Sequence, residues 1–331
     1  MRFPFPVLVC DVGGTNLRVA LCRAPGDPPE IVLKDRTAAF AGLDAALAAA
    51  AKAGGVAPRS VLVCAAGPVD GARVRLTNAD WAIEGADIAR RLGLEQGLLL
   101  NDFEAQAVAL PHLTDAMTRG ICPGVARPEA PRLVLGPGTG LGAAALLRAG
   151  GRWVVATTEA GHADFGPSCA AEEVFWPHLE RVDGRVTFES ILSGPGLARL
   201  HAALRASRGL GPAAADAAAV EAAARAGEPV AAAAIRLFWR LVARCAGDLA
   251  LIFLARGGVT LAGGVLPRLV DWLDAADFRR ALTAKAPMQA LLVDTPVRLI
   301  VNSDAALAGM AALAAAPGAY AIDYEARVWR P

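Results

Sequence analysis

The sequence predicts an α/β fold built from two similar layered units. Short runs rich in Val, Leu and Ile alternate with runs rich in Ala and Leu, which is the order expected of strands and helices packed in layers. Two glycine-rich segments, near residues 11 and 136, each follow a predicted strand and resemble one another. The chain of 331 residues exceeds one average domain and suits two modest ones.

The first third of the chain yields one such unit. Residues 7–10 and 17–22 are apolar runs on either side of a Gly-Gly turn, which predicts a hairpin. The other predicted elements are strands at 60–65 and 98–100 and helices at 40–53 and 88–94. Because strands and helices alternate here, we expect a sheet covered by helices.

A second unit begins near residue 132. Its opening, Val-Leu-Gly-Pro-Gly-Thr-Gly-Leu-Gly, resembles Val-Cys-Asp-Val-Gly-Gly-Thr-Asn-Leu-Arg near the start of the chain, so an internal duplication is expected. Residues 197–256 are predicted to be mostly helical, whereas the tail from Gly318 carries no clear pattern. The remaining predicted elements are strands at 133–135, 143–147, 153–157, 257–262 and 297–301, and helices at 213–226, 229–254 and 304–315.

The elements predict two domains that face each other across a cleft. The smaller is expected to comprise residues 1–103 together with 302–331, since the last helix should return to it. The larger is expected to comprise residues 104–301.

Composition excludes several classes of function. The net charge is +1 and basic residues are scattered, so neither nucleic acid nor an anionic membrane surface is an expected partner. Secretory signals and apolar runs long enough to span a bilayer are not seen in the sequence, so a cytoplasmic location is expected. The six cysteines form no C-x-x-C pair, which predicts free thiols and no zinc site.

The first glycine segment has the residues of a phosphate-binding turn. A predicted strand ends at Asp11, and Val12, Gly13, Gly14, Thr15 and Asn16 follow. Glycines let a backbone approach a ligand closely, and successive N–H groups in a turn bind phosphate oxygens. Asp11 is a candidate to hold hydrated Mg²⁺. The alternative is an ordinary hairpin turn. Since the sequence has no G-x-x-x-x-G-K-[ST] motif, a nucleotide site here would use another cradle.

The second glycine segment, residues 136–142, has two interpretations. Gly138, Gly140 and Ala143 match a dinucleotide-binding fingerprint, and Glu159 lies about 20 residues further on. That fold needs a crossover of about ten residues or more before its next strand. Residues 143–151 contain a strand-like run and a Gly-Gly turn instead. A second phosphate-binding hairpin with Gly138, Thr139 and Gly140 is therefore favoured.

Polar residues near the ends of predicted strands form a third signal. Ligands gather at the carboxyl ends of strands in α/β sheets. Each such residue is unremarkable alone; Asp102, for example, could simply cap the helix that follows. Together they supply the donors and acceptors that a polyhydroxylated ligand requires, and they are Asn78, Asn101, Asp102, Glu159, His162 and Glu189.

At these positions the sequence resembles the bacterial glucokinase family of the hexokinase–actin–Hsp70 ATPase superfold. The resemblance covers nearly the whole chain in one order. Its segments are Asp-Val-Gly-Gly-Thr-Asn at 11–16, Ala-Gly-Pro-Val at 66–69, Leu-Thr-Asn at 76–78, Asn-Asp-Phe-Glu-Ala at 101–105, Pro-Gly-Thr-Gly-Leu-Gly at 137–142, Gly-His-Ala-Asp-Phe at 161–165, Leu-Ser-Gly-Pro-Gly-Leu at 192–197 and Ala-Gly-Gly-Val-Leu-Pro-Arg at 262–268. It implies two ribonuclease-H-like α/β domains around a central cleft.

The resemblance also implies a role for each candidate residue. ATP with Mg²⁺ would phosphorylate glucose or a similar hexose, and Asp102 would be the general base. Dimers are common among enzymes of this resemblance, so a homodimer is an expectation of the same kind. The sugar would contact Asn78, Asn101, Asp102, Glu159, His162 and Glu189, and the nucleotide would contact residues 11–16 and 138–140 with Gly263 and Gly264.

The sequence lacks a zinc-binding feature of the related ROK sugar kinases. Those enzymes carry a zinc-binding cysteine cluster after the Gly-His pair, whereas residues 163–169 here contain only Cys169. The resemblance therefore implies a zinc-free enzyme.

Other functions compete with glucose phosphorylation. A kinase for another hexose or an amino-sugar would keep the mechanism and change the substrate. A sugar-responsive regulator would need a DNA-binding segment, for which the residues before Asp11 leave no room. A non-kinase ATPase would share the nucleotide motifs without needing the sugar-binding set.

Overall fold

The computed structural model describes residues 1–67, 69–76, 81–211 and 214–331, so Asn78 lies outside the described residues. The chain divides into two compact units. Unit 1 comprises Met1–Met117, Leu146–Ala156 and Asn302–Pro331, and unit 2 comprises Thr118–Ala145 and Thr157–Val301. The domain boundary expected at residues 103 and 104 would cut a helix, because both residues lie in its first turn.

Strands and helices alternate along the described chain. The strands are β1 (Val7–Val12), β2 (Asn16–Cys22), β3 (Glu30–Arg36), β4 (Ser60–Ala65), β5 (Val69–Asp70), β6 (Arg73–Arg75), β7 (Ala82–Glu84), β8 (Gln96–Asn101), β9 (Thr118–Cys122), β10 (Arg132–Pro137), β11 (Leu141–Ala149), β12 (Arg152–Thr158), β13 (Val259–Leu261), β14 (Val297–Ile300) and β15 (Val328–Trp329). The helices are α1 (Leu43–Gly54), α2 (Gly85–Leu92), α3 (Asp102–Ala109), α4 (Ala170–Glu173), α5 (Phe188–Ile191), α6 (Gly194–Ala206), α7 (Ala217–Arg225), α8 (Pro229–Ile252), α9 (Ala275–Thr283), α10 (Ala305–Ala315) and α11 (Tyr324–Arg327).

The sheet of unit 1 has the strand order β15-β8-β4-β1-β2-β3. β1 and β2 pair antiparallel, as the predicted hairpin requires, and β1, β4 and β8 run parallel. Side chains alternate between the two faces of a strand. Leu8 and Cys10 therefore pack with α1 and α2 on one face, while Val7 and Val9 pack with α3 and α10 on the other. The sheet is thus a middle layer between helices.

The main sheet of the later part of the chain repeats this arrangement. Its strand order is β12-β11-β10-β13-β14-β9, with β10, β13 and β14 parallel. A glycine turn joins β1 to β2 in one sheet and β10 to β11 in the other. β1 and β10 each then pair with a parallel strand from later in the chain. The predicted α/β class and the similarity of the two halves are confirmed at this level.

Unit 2 is covered mainly by helices, as the helical prediction for 197–256 indicated. The long helix α8 begins at Pro229, after Glu228 caps it by accepting hydrogen bonds from the N–H groups of Val230 and Ala231. Its buried side chains, including Phe238 and Trp239, form one core with α6, α7 and the parallel strands.

The sequence missed several elements whose pairing depends on distant residues. β3 and β9 lie at sheet edges, where exposed residues interrupt the alternation of buried and exposed positions. The tail from Gly318 forms α11 and β15, and Val328 and Trp329 pair antiparallel with Leu98 and Gly97. A two-residue strand is too short to show a period. The helix predicted from residue 40 begins at Leu43, because Gly42 before it is extended.

Membrane insertion has no support in the helices of the structure. Over the residues it describes, none of them combines the length and the apolar character that crossing a bilayer demands.

Candidate functional site

The β1–β2 turn is a braced loop at the carboxyl end of β1. The N–H of Gly13 donates to the carbonyl of Asn16 at 2.9 Å. Thr37 braces the turn from the next segment, because its hydroxyl donates to the carbonyl of Gly13 at 2.6 Å and its N–H donates to that of Thr15 at 3.0 Å. Thr15 and Asn16 are exposed. The loop therefore presents fixed, accessible groups to a ligand.

Asp11 lies in a charged cluster just before this turn. Arg18 Nη1 lies 3.1 Å from Asp11 Oδ2 and also donates to the carbonyl of Ser303 at 2.6 Å. The thiol of Cys64 donates to Asp11 Oδ1 at 3.4 Å. Burial raises the pKa of Asp11 above its ordinary value, and the Arg18 guanidinium opposes that rise. The carboxyl side chain remains 24% exposed, so it can still reach a ligand.

Asn101 and Asp102 lie at the same edge of the sheet, where β8 gives way to α3. The registers pair Asp11 with Cys64 and Ala65 with Asn101, which brings the ends of β1, β4 and β8 together. Asn101 is the helix cap: its Oδ1 accepts from the N–H of Phe103 at 2.9 Å and its Nδ2 donates to the carbonyl of Gly67 at 3.1 Å. The suggestion that Asp102 caps this helix is therefore wrong. The cap is one residue earlier, and Asp102 is the first residue of the helix.

Asp102 has the electrostatics of a general base. Its pKa is raised to about 6, first by burial and also by the nearby charge of Asp11. A hydrogen bond from the N–H of Phe103 to Oδ1, at 2.9 Å, acts in the opposite direction. A carboxylate with a pKa near 6 is mostly ionised at neutral pH and binds a proton more strongly than an ordinary Asp. The residue is thus suited to accept a proton from a hydroxyl.

In unit 2, two glycine turns pack directly on each other. Gly138 donates its N–H to the carbonyl of Gly140 and accepts from the N–H of Gly194, both at 2.8 Å. Gly263 has a φ of 82°, and a Cβ there would lie 2.3 Å from the carbonyl oxygen of Pro137. Only glycine fits this contact. The β10–β11 link is a short turn with no crossover helix, so the rejection of a dinucleotide-binding unit is confirmed.

Glu189 lies against the second glycine segment. Its Oε2 accepts a hydrogen bond from the N–H of Leu141 at 2.9 Å. A Cβ on Gly140 would lie 2.3 Å from the same oxygen, so the glycine makes room for the carboxylate. Glu189, which is predicted to contact the sugar, is thus hydrogen-bonded to the glycine segment that is predicted to contact the nucleotide.

Glu159 follows β12 directly, and His162 ends the short 3₁₀ turn that comes next (Ala160–His162). His162 Nε2 lies 3.8 Å from Glu159 Oε2, and both side chains are well exposed. A cavity of about 250 Å³ in this unit is lined by Thr139, His162 and Glu189 among others. Three of the predicted site residues thus line one cavity. Glu159 does not line it, although its carboxylate lies close to the His162 ring.

Sequence reasoning missed several residues of this cavity. Arg185 lines it and donates to the carbonyl of His162 at 3.0 Å, while Asp183 lines it with a φ of 50°, a conformation uncommon for a residue other than glycine. Neither residue belongs to a motif, so only the fold identifies them. In unit 1, Arg18 ends the Asp11 motif in the sequence, but only the structure shows that it pairs with Asp11.

The side chains near the β1–β2 turn can be compared with what Mg²⁺ bound to ATP requires. Three or more His, Cys, Asp or Glu side chains grouped to hold a metal ion are not found in the part of the chain that the structure describes. Mg²⁺ with a nucleotide needs no such group, since it keeps waters and takes one or two carboxylates plus phosphate oxygens. Asp11 is a partly exposed carboxylate beside an accessible turn. These residues therefore fit a hydrated Mg²⁺ bound mainly through the nucleotide.

Comparison with known proteins gives concordant matches. A family model described as Glucokinase matches residues 8–317. A glucokinase from Sinorhizobium medicae is 42% identical over 330 residues, which is 99% of this chain and 97% of that protein.

The chain belongs to the glucokinase family.

Solved structures of the glucokinase family have the same fold. A glucokinase from an Antarctic psychrotroph superimposes with a TM-score of 0.84 at 31% identity, covering 93% of this chain and 98% of that one. A ROK family glucokinase from Streptomyces griseus, solved with glucose and AMPPNP, has a TM-score of 0.61 at 24% identity, covering 92% of this chain and 98% of that one. The fold is that of the actin-like ATPases, as the sequence resemblance implied.

Proposed function

We propose that this protein transfers the γ-phosphoryl group of ATP to the 6-hydroxyl of glucose, with Asp102 as the general base. The observation that carries the proposal is the state of Asp102: a half-buried carboxylate with its pKa raised to about 6, at the start of α3. Membership of the glucokinase family supports the same substrate.

A general base is needed because the sugar hydroxyl must lose its proton to become a good nucleophile. A neutral hydroxyl is a weak nucleophile, and a positioned carboxylate that accepts its proton contributes about 10²- to 10⁴-fold. The O6–H proton passes to Asp102 while the bond from O6 to phosphorus forms and the bond from phosphorus to the ADP oxygen breaks. Oδ1 is held by the N–H of Phe103, and we assign the proton to Oδ2.

The remaining sugar contacts are assigned to the other polar side chains that the sequence predicts. Asn101 is held as the cap of α3, and Glu189 is held by the N–H of Leu141, so both present oriented polar atoms. Glu159 and His162 are exposed and close to each other. Asn78 keeps the sugar-contacting role that the resemblance implied. A site built to hydrogen-bond hydroxyls rejects sugars that lack them by up to about 10⁴- to 10⁵-fold.

The nucleotide is assigned to the two glycine turns. The turn from Asp11 to Asn16 and the turn at Gly138, Thr139 and Gly140 would hold phosphate oxygens through backbone N–H groups. Gly263 and Gly264 are exposed next to the second turn and would contact the rest of the nucleotide. Mg²⁺, held through water by Asp11, would neutralise charge on the phosphates during transfer. The protein's own part is orientation and proton transfer.

The test is ADP release with MgATP against a panel of sugars. The panel is glucose, mannose, fructose, galactose, N-acetylglucosamine, N-acetylmannosamine and no sugar. Glucose should stimulate ADP release most strongly, and the product should be glucose 6-phosphate. Asp102→Asn keeps the Oδ1 acceptor and removes the base, so it should lower kcat by about 10²-fold or more.

A matched variant separates the base from general damage. Asp35→Asn changes an exposed carboxylate on β3 and should retain wild-type kcat. Stimulation by another sugar alone would replace glucose as the substrate. Near-normal turnover in Asp102→Asn would remove Asp102 from the mechanism.

A further inference from the structure

The C-terminal tail inserts an arginine beneath the start of α3. Arg327 Nη1 lies 2.6 Å from Glu104 Oε1, and Nη2 lies 2.7 Å from Glu104 Oε2. Nη2 also donates to the carbonyl of Leu99 at 2.8 Å. The guanidinium therefore holds both oxygens of one carboxylate and the backbone of β8 at the same time.

Glu104 connects this contact to the candidate base. Its Oε2 accepts from the N–H of Asn101 at 3.2 Å, and Asn101 in turn caps α3, so the two residues satisfy each other's backbone groups. Asp102 lies between them in the chain. The Glu104 side chain is only 5% exposed and the Arg327 side chain 22%. A buried carboxylate in this position depends on its cation.

We propose that Arg327 is a positioning residue for Asp102: by clamping Glu104 and the carbonyl of Leu99, it sets the angle between β8 and the first turn of α3. The claim rests on the proposed function, because it assigns Arg327 to the same base. A bidentate guanidinium is suited to the task, since its planar fork defines a direction, whereas a lysine ammonium is a point charge.

Another residue of the tail, Trp329, allows the positioning of Asp102 to be tested separately from the packing of the tail against the sheet. Trp329 is buried two residues later, and its indole occupies space left by Gly85 and Gly97, where a Cβ would come within 2.4 and 2.3 Å of it. The hydrogen bonds that join Arg327, Leu99, Glu104 and Asn101 do not involve Trp329. A change at Trp329 should therefore loosen the tail without removing the clamp.

The experiment compares three variants of the full chain by steady-state kinetics and thermal unfolding. Arg327→Met keeps the length and removes the charge; Arg327→Lys keeps the charge and removes the fork; Trp329→Phe is the docking control. Arg327→Met should lower kcat by about 10- to 100-fold, because a small misplacement of a catalytic group is costly. Its KM for ATP should change by less than about twofold, since the proposed nucleotide turns make no bond to Arg327.

The two other variants make the proposal falsifiable even if Arg327→Met fails to fold. Arg327→Lys should fold and show a kcat about 3- to 10-fold below wild type, with an unchanged KM for ATP. Trp329→Phe should lower Tm but keep kcat within about twofold of wild type. A wild-type kcat in Arg327→Lys, or an equal loss of kcat in Trp329→Phe, would overturn the proposal. A wild-type protein that releases no ADP with any sugar would instead refute the proposed function, and the Arg327 inference with it.

Discussion

Asp102 shows how one residue obtains its chemistry from its neighbours. An ordinary Asp is a weak base at neutral pH, and burial at the start of α3 together with the charge of Asp11 raises its pKa to about 6. The groups that act on it come from β1 and from the end of β8 as well as from its own helix. Its protonation state should therefore control the rate in a measurable way.

The pH dependence of kcat/KM for glucose should have an acid limb near pH 6. Only the ionised carboxylate accepts a proton, so activity should be full above this value and fall about tenfold per pH unit below it. The measurement is initial rate from pH 4.5 to 8 with saturating MgATP, and thermal unfolding at each pH verifies that the enzyme stays folded. A folded enzyme with a flat profile down to pH 4.5 would mean that Asp102 is not the base.

Gly140 is a second residue whose substitution should have a large effect on activity. Gly140→Ala should displace the Glu189 carboxylate, because the new Cβ would lie 2.3 Å from Oε2, and the bond from the Leu141 N–H would be lost. A hydrogen bond to a charged group contributes about 1.5 to 3 kcal/mol, so kcat/KM for glucose should fall about 10- to 150-fold. Gly120→Ala is the matched control, since a Cβ there meets no atom within 4 Å. Equal kinetics for the two variants would contradict the role of Glu189.

At the scale of elements, α8 anchors the segment that follows His162. Arg244 on this helix donates to Glu172, to the carbonyl of Gly166 and to the hydroxyl of Ser168. Its guanidinium carbon lies 3.8 Å from the ring centroid of Phe165, a cation–π contact. One arginine on a rigid helix thus holds most of an otherwise irregular loop.

Stability should reflect the burial of that arginine. Arg244→Ala leaves Glu172, 6% exposed, without its cation, which costs about 3 to 5 kcal/mol of unfolding free energy. Arg240 lies on the same helix and pairs with Asp277, but its side chain is 50% exposed, so Arg240→Ala should cost at most about 1 kcal/mol. Urea denaturation of both variants measures the difference. Similar losses would show that the Arg244 pair is not a structural anchor.

At the scale of the whole molecule, unit 1 is discontinuous along the chain. Its sheet begins with β1 and is completed at one edge by β15, from the end of the chain. Two aromatic residues near the end of this sequence, Tyr320 and Trp329, are also buried in the hydrophobic cores of unit 1. Unit 1 should therefore depend on residues that lie far from β1 in the chain.

Removal of residues 317–331 should destabilise unit 1 severely. Loss of one buried aromatic side chain costs about 3 to 5 kcal/mol, and this deletion removes two along with the partner of Glu104. Thermal unfolding should show a transition at much lower temperature, or the protein should not fold. A chain ending after Trp329 lacks only two exposed residues and should unfold like wild type. A wild-type Tm in the longer deletion would contradict the role assigned to the tail.

Elements with strong local patterns can be predicted from the sequence alone. Strands β1, β2, β4 and β8 were predicted because apolar runs and a Gly-Gly turn are local signals. The repeated glycine hairpin predicted two similar units, and polar residues at strand ends predicted Asn101 and Asp102 as site residues. The strands, the glycine hairpins and the polar residues at strand ends can be predicted because each depends on residues that are adjacent in the chain.

The effects of distant segments on one another become visible only in the folded protein. The raised pKa of Asp102 comes from burial and from Asp11, the room for Glu189 comes from Gly140, and the clamp on Glu104 comes from Arg327 in a tail with no sequence pattern. Burial and electrostatic coupling depend on distance in space. Nothing in the sequence around Arg327 predicts that it will contact Glu104. That contact depends on the pairing of β15 with β8, which brings the tail next to the start of α3.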